Sequence, residues 1–156
     1  MNKGERISQF VREMELITPG GDLDEIVSNP YYRAYFQCWN EQRYYEAHDV
    51  LEHIWLKTNS DDANFFKGLI QAAGAFVHLQ KNYEAPSHPK HGRRLAPAIR
   101  LFRLAETNLA PYAPARHGFH VGEFLELLRK FRSAISPREP MHNPWSPETA
   151  PRLHLQ

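Results

Sequence analysis

Residues 63–80 read ANFFKGLIQAAGAFVHLQ, and this stretch decides the fold class. When it is placed on a helix, apolar side chains occupy nearly the whole circumference, which is typical of a helix surrounded by other helices. Its most apolar part, from Gly68 to Gln80, is too short to span a bilayer and carries Gln71 and His78 inside it. We therefore predict a central buried helix near residues 62–81. It begins at Asp61 or Asp62, an acidic start of the kind that caps a helix well.

Apolar residues repeat with the helical period in five further stretches of the chain. The helices predicted from them cover residues 7–17, 31–39, 43–57, 95–109 and 121–135. No stretch alternates with a period of two, as half-buried strands do. The sequence thus predicts an all-α protein, built as a compact bundle of five to six helices.

The prolines divide the chain into two parts. Ten of the twelve lie beyond Ala85, and five of those fall between Pro137 and Pro151. Because proline interrupts a helix, we predict one helical domain over residues 1–136 and a Pro-rich, extended C-terminal tail over residues 137–156. Apolar side chains in the tail, among them Trp145, are able to pack it onto the surface of the domain.

The charge and cysteine content narrow the class of protein. Lysine and arginine number 19 and aspartate and glutamate 18, a formal net charge of +1. This balance argues against a nucleic-acid binder, and the basic residues near the start of the helix predicted at 95–109 are interpreted as a solvated face. A single cysteine, Cys38, fits a reducing compartment, and the first residues do not resemble a secretory signal peptide. We expect a cytoplasmic protein with neither a membrane nor a nucleic acid as partner.

Two polar side chains stand beside the apolar stripe of the helix predicted at 43–57. His48 lies next to the face that contains Tyr44 and Trp55. Glu52 follows one turn after His48, on the rim of the same face. Burial at such a rim is expected to perturb the ionisation of both groups.

A second polar pair lies on the central helix. Gln71 and His78 are two turns apart on one face, with small residues nearby that allow another helix or a ligand to approach. The zinc-protease patterns HExxH and HxxEH are absent here, because His48 and His53 are five positions apart. These four polar residues, rather than a protease motif, carry the functional hypotheses.

Three blocks of the sequence resemble a known family. They are Phe36, Trp39-Asn40, Tyr44 and EAHDVLE at 46–52 with Trp55; FKGLIQ at 66–71 with His78; and, more weakly, GFHV at 118–121 with Phe124, Leu125 and Leu128. Together they span roughly residues 30–135 and are similar to the domain-of-unknown-function 309 family. The resemblance implies a small, all-helical bundle and brings no established activity with it.

The same resemblance directs attention to five residues. They are His48, Asp49, Glu52, Gln71 and His78. Asp49 stands where the family usually has glutamate, so its carboxylate has a shorter reach. The set coincides with the polar residues that helical geometry singles out, with Asp49 added.

Our first hypothesis for the function is a small-molecule pocket between the two helices. Glu52 and His48 would form a catalytic acid/base pair in it. The ligand would be bound by a wider set of side chains: Asp49, Gln71, His78, Trp55 and Tyr44. Whether the protein is an enzyme is left open.

Two other functions fit the same residues. One is a non-enzymatic, homodimeric scaffold whose polar cluster only fixes helix packing. The other is a divalent-metal site with His48, Glu52 and His78 as ligands. The metal site is not favoured at this stage, because the sequence does not fix how the two helices face each other.

Overall fold

Helices dominate the computed structural model, which describes residues 26–55, 61–89, 93–135 and 142–156. Five α-helices occur within these ranges: α1 (Pro30–Asn40), α2 (Tyr44–Trp55), α3 (Ala63–Glu84), α4 (Leu95–Leu109) and α5 (Val121–Ala134). β-structure among the described residues is limited to isolated bridges, which join Phe119 to Arg116 and to Leu155. The all-α prediction is confirmed. The helix predicted at 7–17 lies outside the described residues.

The start of α1 follows from two residues. The Asn29 side-chain oxygen accepts hydrogen bonds from the backbone N–H groups of Tyr31 and Tyr32, at 2.8 and 3.3 Å. Pro30 occupies the first helical position, where its missing N–H costs nothing. After α1 the chain reverses through Gln42, whose φ of 61° is left-handed. The Arg43 N–H then bonds back to the Cys38 carbonyl at 2.8 Å, and α2 begins.

Helix α3 packs against both α2 and α4, as the central helix was predicted to do. Twelve of its 22 residues are buried, so apolar contact extends around most of its surface. Gly68 faces the end of α4, and a Cβ built at this position would lie 2.6 Å from Leu109 Cγ. The absent side chain therefore allows the close approach of α4 to α3.

The start of α3 differs from the prediction in one respect. Asp62 holds the N-cap position, but its backbone is already helical and its side chain makes no capping bond. The carboxylate instead contacts Arg116 and His117, in the loop before α5. The acidic residue is thus used for a tertiary contact rather than for a cap.

Residues 142–156, which we call the C-terminal strap, are extended apart from a turn at 147–149 and pack into the core. Trp145 and Leu153 are 2% and 5% exposed. The Trp145 indole N–H donates to the Tyr44 hydroxyl at 3.1 Å, and the Trp39 indole N–H donates to the Pro151 carbonyl at 3.0 Å. The strap thereby contributes to the core that α1 and α2 share. The division of the chain at residue 136 stays a prediction, since residues 136–141 are not described.

A membrane-spanning helix was not expected. Within the described ranges, no helix combines the length and the apolar character that a span requires.

Candidate functional site

The polar stripe of α2 is formed by His48, Asp49 and Glu52. Ala47 and Leu51 are fully buried against the core, so the helical period turns the three polar side chains toward the rim. Their side chains are 32%, 25% and 39% exposed. The burial expected for His48 and Glu52 is therefore only partial.

The three side chains of this stripe converge. His48 Nδ1 lies 3.2 Å from Asp49 Oδ1, and His48 Nε2 lies 3.7 Å from Glu52 Oε1. One donor atom from each residue can be chosen so that all three lie within 4.8 Å of one another. One imidazole nitrogen and two carboxylate oxygens at this spacing form a donor set for a divalent cation. We call His48, Asp49 and Glu52 the α2 cluster.

The partner of Gln71 lies on α4 and the partner of His78 lies at the N-cap of α4, so neither lies on α2. The Asn108 side-chain amide donates to Gln71 Oε1 at 2.7 Å. Arg94 Nη1 lies 3.2 Å from His78 Nδ1, and because a guanidinium only donates, this histidine nitrogen accepts. The sequence predicted one cluster of polar side chains between two core helices. The structure instead has two separate sets: the α2 cluster, and the polar contacts of α3 on its α4 side.

The protonation state of His78 follows from its surroundings. Burial, reinforced by the positive charges of Arg94, Lys81 and Arg100, lowers its pKa to about 4. The imidazole is accordingly neutral near neutral pH, with Nδ1 free of a proton and Nε2 carrying it. His78 is not one of the donors grouped with His48 and Glu52; Asp49 takes its place in the set.

The two aromatic residues in the predicted ligand-binding set have different environments. Tyr44 is fully buried, and its hydroxyl accepts the hydrogen bond from Trp145, so it belongs to the core and is not accessible to a ligand. Trp55 is the last residue of α2 and is partly buried against the core. A role for Trp55 in binding stays a prediction.

A further charged group joins the start of α3 to the loop before α5. Arg116 Nη2 lies 2.8 Å from Asp62 Oδ1, and His117 Nε2 lies 3.0 Å from Asp62 Oδ2. Burial alone would raise the pKa of Asp62, but Arg116 and His117 outweigh it and hold the pKa below its ordinary value. Sequence reasoning missed this group, because it assigned Asp61 or Asp62 to the cap of the central helix.

His117 is fixed by more than its contact with Asp62. Its backbone is left-handed, with φ of 50°, and its carbonyl accepts from the Tyr32 hydroxyl at 3.0 Å. Its ring packs against Phe65 at a centroid distance of 5.5 Å. The loop is therefore clamped onto α1 and α3, which is a structural role.

Comparison with known proteins relates part of the chain to one family. Residues 32–88 match the family described as "Domain of unknown function (DUF309)". Over this segment the chain is similar to the DUF309 family. The segment contains most of α1 and the whole of α2 and α3, and with them the α2 cluster, Gln71 and His78. The partners of Gln71 and His78 lie beyond it.

The DUF309 match confirms the resemblance found for the first two sequence blocks. It ends before the third block at residues 118–128, so that part of the resemblance stays a prediction. No curated protein matches the chain. No solved structure matches it either. The description of the family names no activity.

Proposed function

We propose that this protein binds a divalent metal ion through His48, Asp49 and Glu52. The observation that carries the proposal is the convergence of three donor atoms within 4.8 Å of one another on one helix face. Asp49 and Glu52 supply negative charge, and the imidazole supplies a nitrogen donor suited to zinc, iron or nickel. The fixed pitch of α2 holds the three side chains on one stripe, so a cation would meet a set that is already assembled.

The partial exposure of the α2 cluster leaves a bound ion accessible to water and to other ligands. Three protein ligands leave one or more coordination positions to water or to an oxygen-bearing ligand, as in catalytic rather than structural metal sites. A water bound there would lose its proton more easily than bulk water. Acid–base chemistry would then come from metal-bound water, and His48 and Glu52 would act as ligands rather than as an acid/base pair.

This proposal combines two of the hypotheses drawn from the sequence and replaces His78 by Asp49. An enclosed pocket between α2 and α3 receives less support, because Gln71 and His78 are engaged by Asn108 and Arg94 of the α4 side. A role in fixing the packing between helices also receives less support. Within the part of the chain that the structure describes, the polar and ring contacts of the His48 side chain lie within α2, and such contacts do not set the register between helices.

A homodimeric scaffold remains a second candidate, and one observation favours it. Tyr45 is 48% exposed and Tyr83 is 45% exposed, and aromatic residues are enriched at protein interfaces. The Tyr45 ring also lies 6.1 Å from the His48 ring, beside the α2 cluster. Light scattering of the full chain would decide between a monomer and a dimer.

Thermal unfolding in the presence of Zn²⁺ or Mn²⁺ tests the metal proposal. A ligand that binds only the folded chain stabilises it, by about 2.7 kcal/mol at a hundredfold excess over Kd. We expect the metal to raise the melting temperature of wild type and of His53→Gln, a control on the same helix outside the α2 cluster. His48→Gln, Asp49→Asn and Glu52→Gln should lose most of that rise.

The same experiment recognises a cluster that only stabilises packing. In that case His48→Gln would lower the melting temperature equally with and without metal. Metal would then have the same effect on wild type and on the three variants, and the proposal would be wrong.

A further inference from the structure

A cavity of about 340 Å³ lies between the first turns of α5 and the end of the C-terminal strap. Its volume is that of a site for one small molecule. The floor is apolar, with the buried rings of Phe119 and Phe124 flanked by Leu127 and Leu153. The cavity shares no residue with the α2 cluster, so an inference from it is independent of the proposed metal site.

Five polar side chains border this apolar floor. His120 and Glu123 belong to the start of α5, and Arg152, His154 and Gln156 belong to the strap. None of the five makes a side-chain hydrogen bond or an ion pair with the rest of the described chain. A carboxylate and a guanidinium thus border one cavity without pairing with each other.

The wall that carries Arg152 and His154 is held in place by the backbone. Leu153, between them, exchanges two hydrogen bonds with the Asn40 side chain, at 2.8 and 2.7 Å. The Gln156 N–H donates to the Gly118 carbonyl at 2.8 Å. The strap is therefore anchored between and after these two residues, which fixes this wall of the cavity in place.

We propose that this cavity binds a free α-amino acid with an aromatic or branched aliphatic side chain. The ligand carboxylate pairs with the Arg152 guanidinium, which suits planar anions. The ligand ammonium pairs with the Glu123 carboxylate, and its side chain covers the floor formed by Phe119 and Phe124. A zwitterion has an opposite charge for each of Arg152 and Glu123, whereas a simple anion would be repelled by Glu123.

The test uses the full chain, with L-phenylalanine as the probe and backbone amide NMR as the readout. We expect saturable shifts confined to residues 119–127 and 152–156. Phenylethylamine lacks the carboxylate and 3-phenylpropionate lacks the ammonium, so each should bind about tenfold more weakly or worse. Absence of shifts at the solubility limit, shifts elsewhere, or binding of either analogue as tight as that of L-phenylalanine would overturn the proposal.

Two variants test the charged contacts separately. Arg152→Gln and Glu123→Gln should each weaken L-phenylalanine binding about tenfold, while Glu123→Gln should not weaken 3-phenylpropionate. Arg103→Gln and Glu148→Gln are matched controls, because both residues are exposed and lie outside the cavity. The controls should bind as wild type does. Unchanged binding by Arg152→Gln and Glu123→Gln would contradict the assignment. Backbone amide resonances that are unchanged away from the cavity verify that the two variants are folded.

Discussion

Asn40 and Leu153 are joined by two hydrogen bonds: the Asn40 amide donates to the Leu153 carbonyl at 2.8 Å, and the Leu153 N–H donates to the Asn40 side-chain oxygen at 2.7 Å. The Asn40 side chain thus pairs with the backbone of the C-terminal strap through one donor and one acceptor, as the backbone of a neighbouring strand would. Leu153 itself is 5% exposed, so the pair fastens an apolar anchor at the edge of the core.

The first prediction concerns this pair. Asn40→Ala removes both bonds and leaves the partly buried Leu153 N–H and carbonyl without their partner, so it should lower the free energy of unfolding by about 2 kcal/mol. Urea unfolding of the full chain measures the difference. Gln37→Ala, which loses only an exposed bond to Glu41, is the matched control and should stay close to wild type. Equal stability of the two variants would show that the strap contributes little.

The second prediction concerns the contact between α3 and α4. Gly68→Ala would place a Cβ 2.6 Å from Leu109 Cγ and 2.9 Å from its Cδ2, in a fully packed region. The variant should be destabilised by about 1–3 kcal/mol through overpacking. Gly122→Ala on α5 is the control, because its Cβ would meet only ordinary contacts at 3.7 Å and above. It should be neutral or slightly stabilising, since alanine favours a helix.

Combining Gly68→Ala with Leu109→Ala provides an internal check. If the clash with Leu109 is the cause, the double variant should lose less stability than the sum of the two single variants. Strict additivity would point to a different origin for the effect.

The third prediction is the pH dependence caused by His78. Its pKa is lowered to about 4 in the folded chain by burial and by the cations around it. The unfolded chain therefore binds more protons between about pH 6.5 and pH 4, so the stabilising effect of the neutral imidazole is lost as the pH falls through this window. Urea unfolding of His78→Gln and wild type should show that the free energy of unfolding falls less in the variant as the pH is lowered through this window. His154→Gln, a control at an exposed position, should follow wild type.

The fourth prediction concerns Asp62. Its pKa is depressed in the folded chain because Arg116 and His117 outweigh the effect of burial. Its contribution to stability is present above the unfolded pKa of about 3.9 and is lost as the pH falls through the lower folded pKa. Asp62→Asn should be less stable than wild type at neutral pH and should approach it in acid. Asp61→Asn is the neighbouring control, and an identical pH profile for both variants would contradict the assignment.

The sequence predicted the helices well because the apolar period marks the face that each helix buries. The same period placed His48 and Glu52 on the rim of α2, where the structure has them. It could not identify the partners of Gln71 and His78. A helical face defines a direction, but the rotation of α3 relative to its neighbours depends on packing such as the contact of Gly68 with Leu109.

Contacts made through irregular segments were also beyond prediction. The Asp62–His117 contact depends on a left-handed residue in a loop. Histidine is more frequent than most residue types in this conformation, but most histidines do not adopt it, so a single one does not predict it. The cavity beside Arg152 depends on the path of the C-terminal strap. The prolines predicted an extended chain there, but an extended chain has no period that specifies which helix it meets.

The most direct test of the central claim is a calorimetric titration of the full chain with Zn²⁺, carried out in parallel on wild type and Glu52→Gln. We expect one ion bound per chain at the α2 cluster in wild type. In the variant, binding should be about tenfold weaker or worse, because a charged ligand has become a neutral one. Equal affinity and stoichiometry in the two proteins, or no binding by wild type, would contradict it.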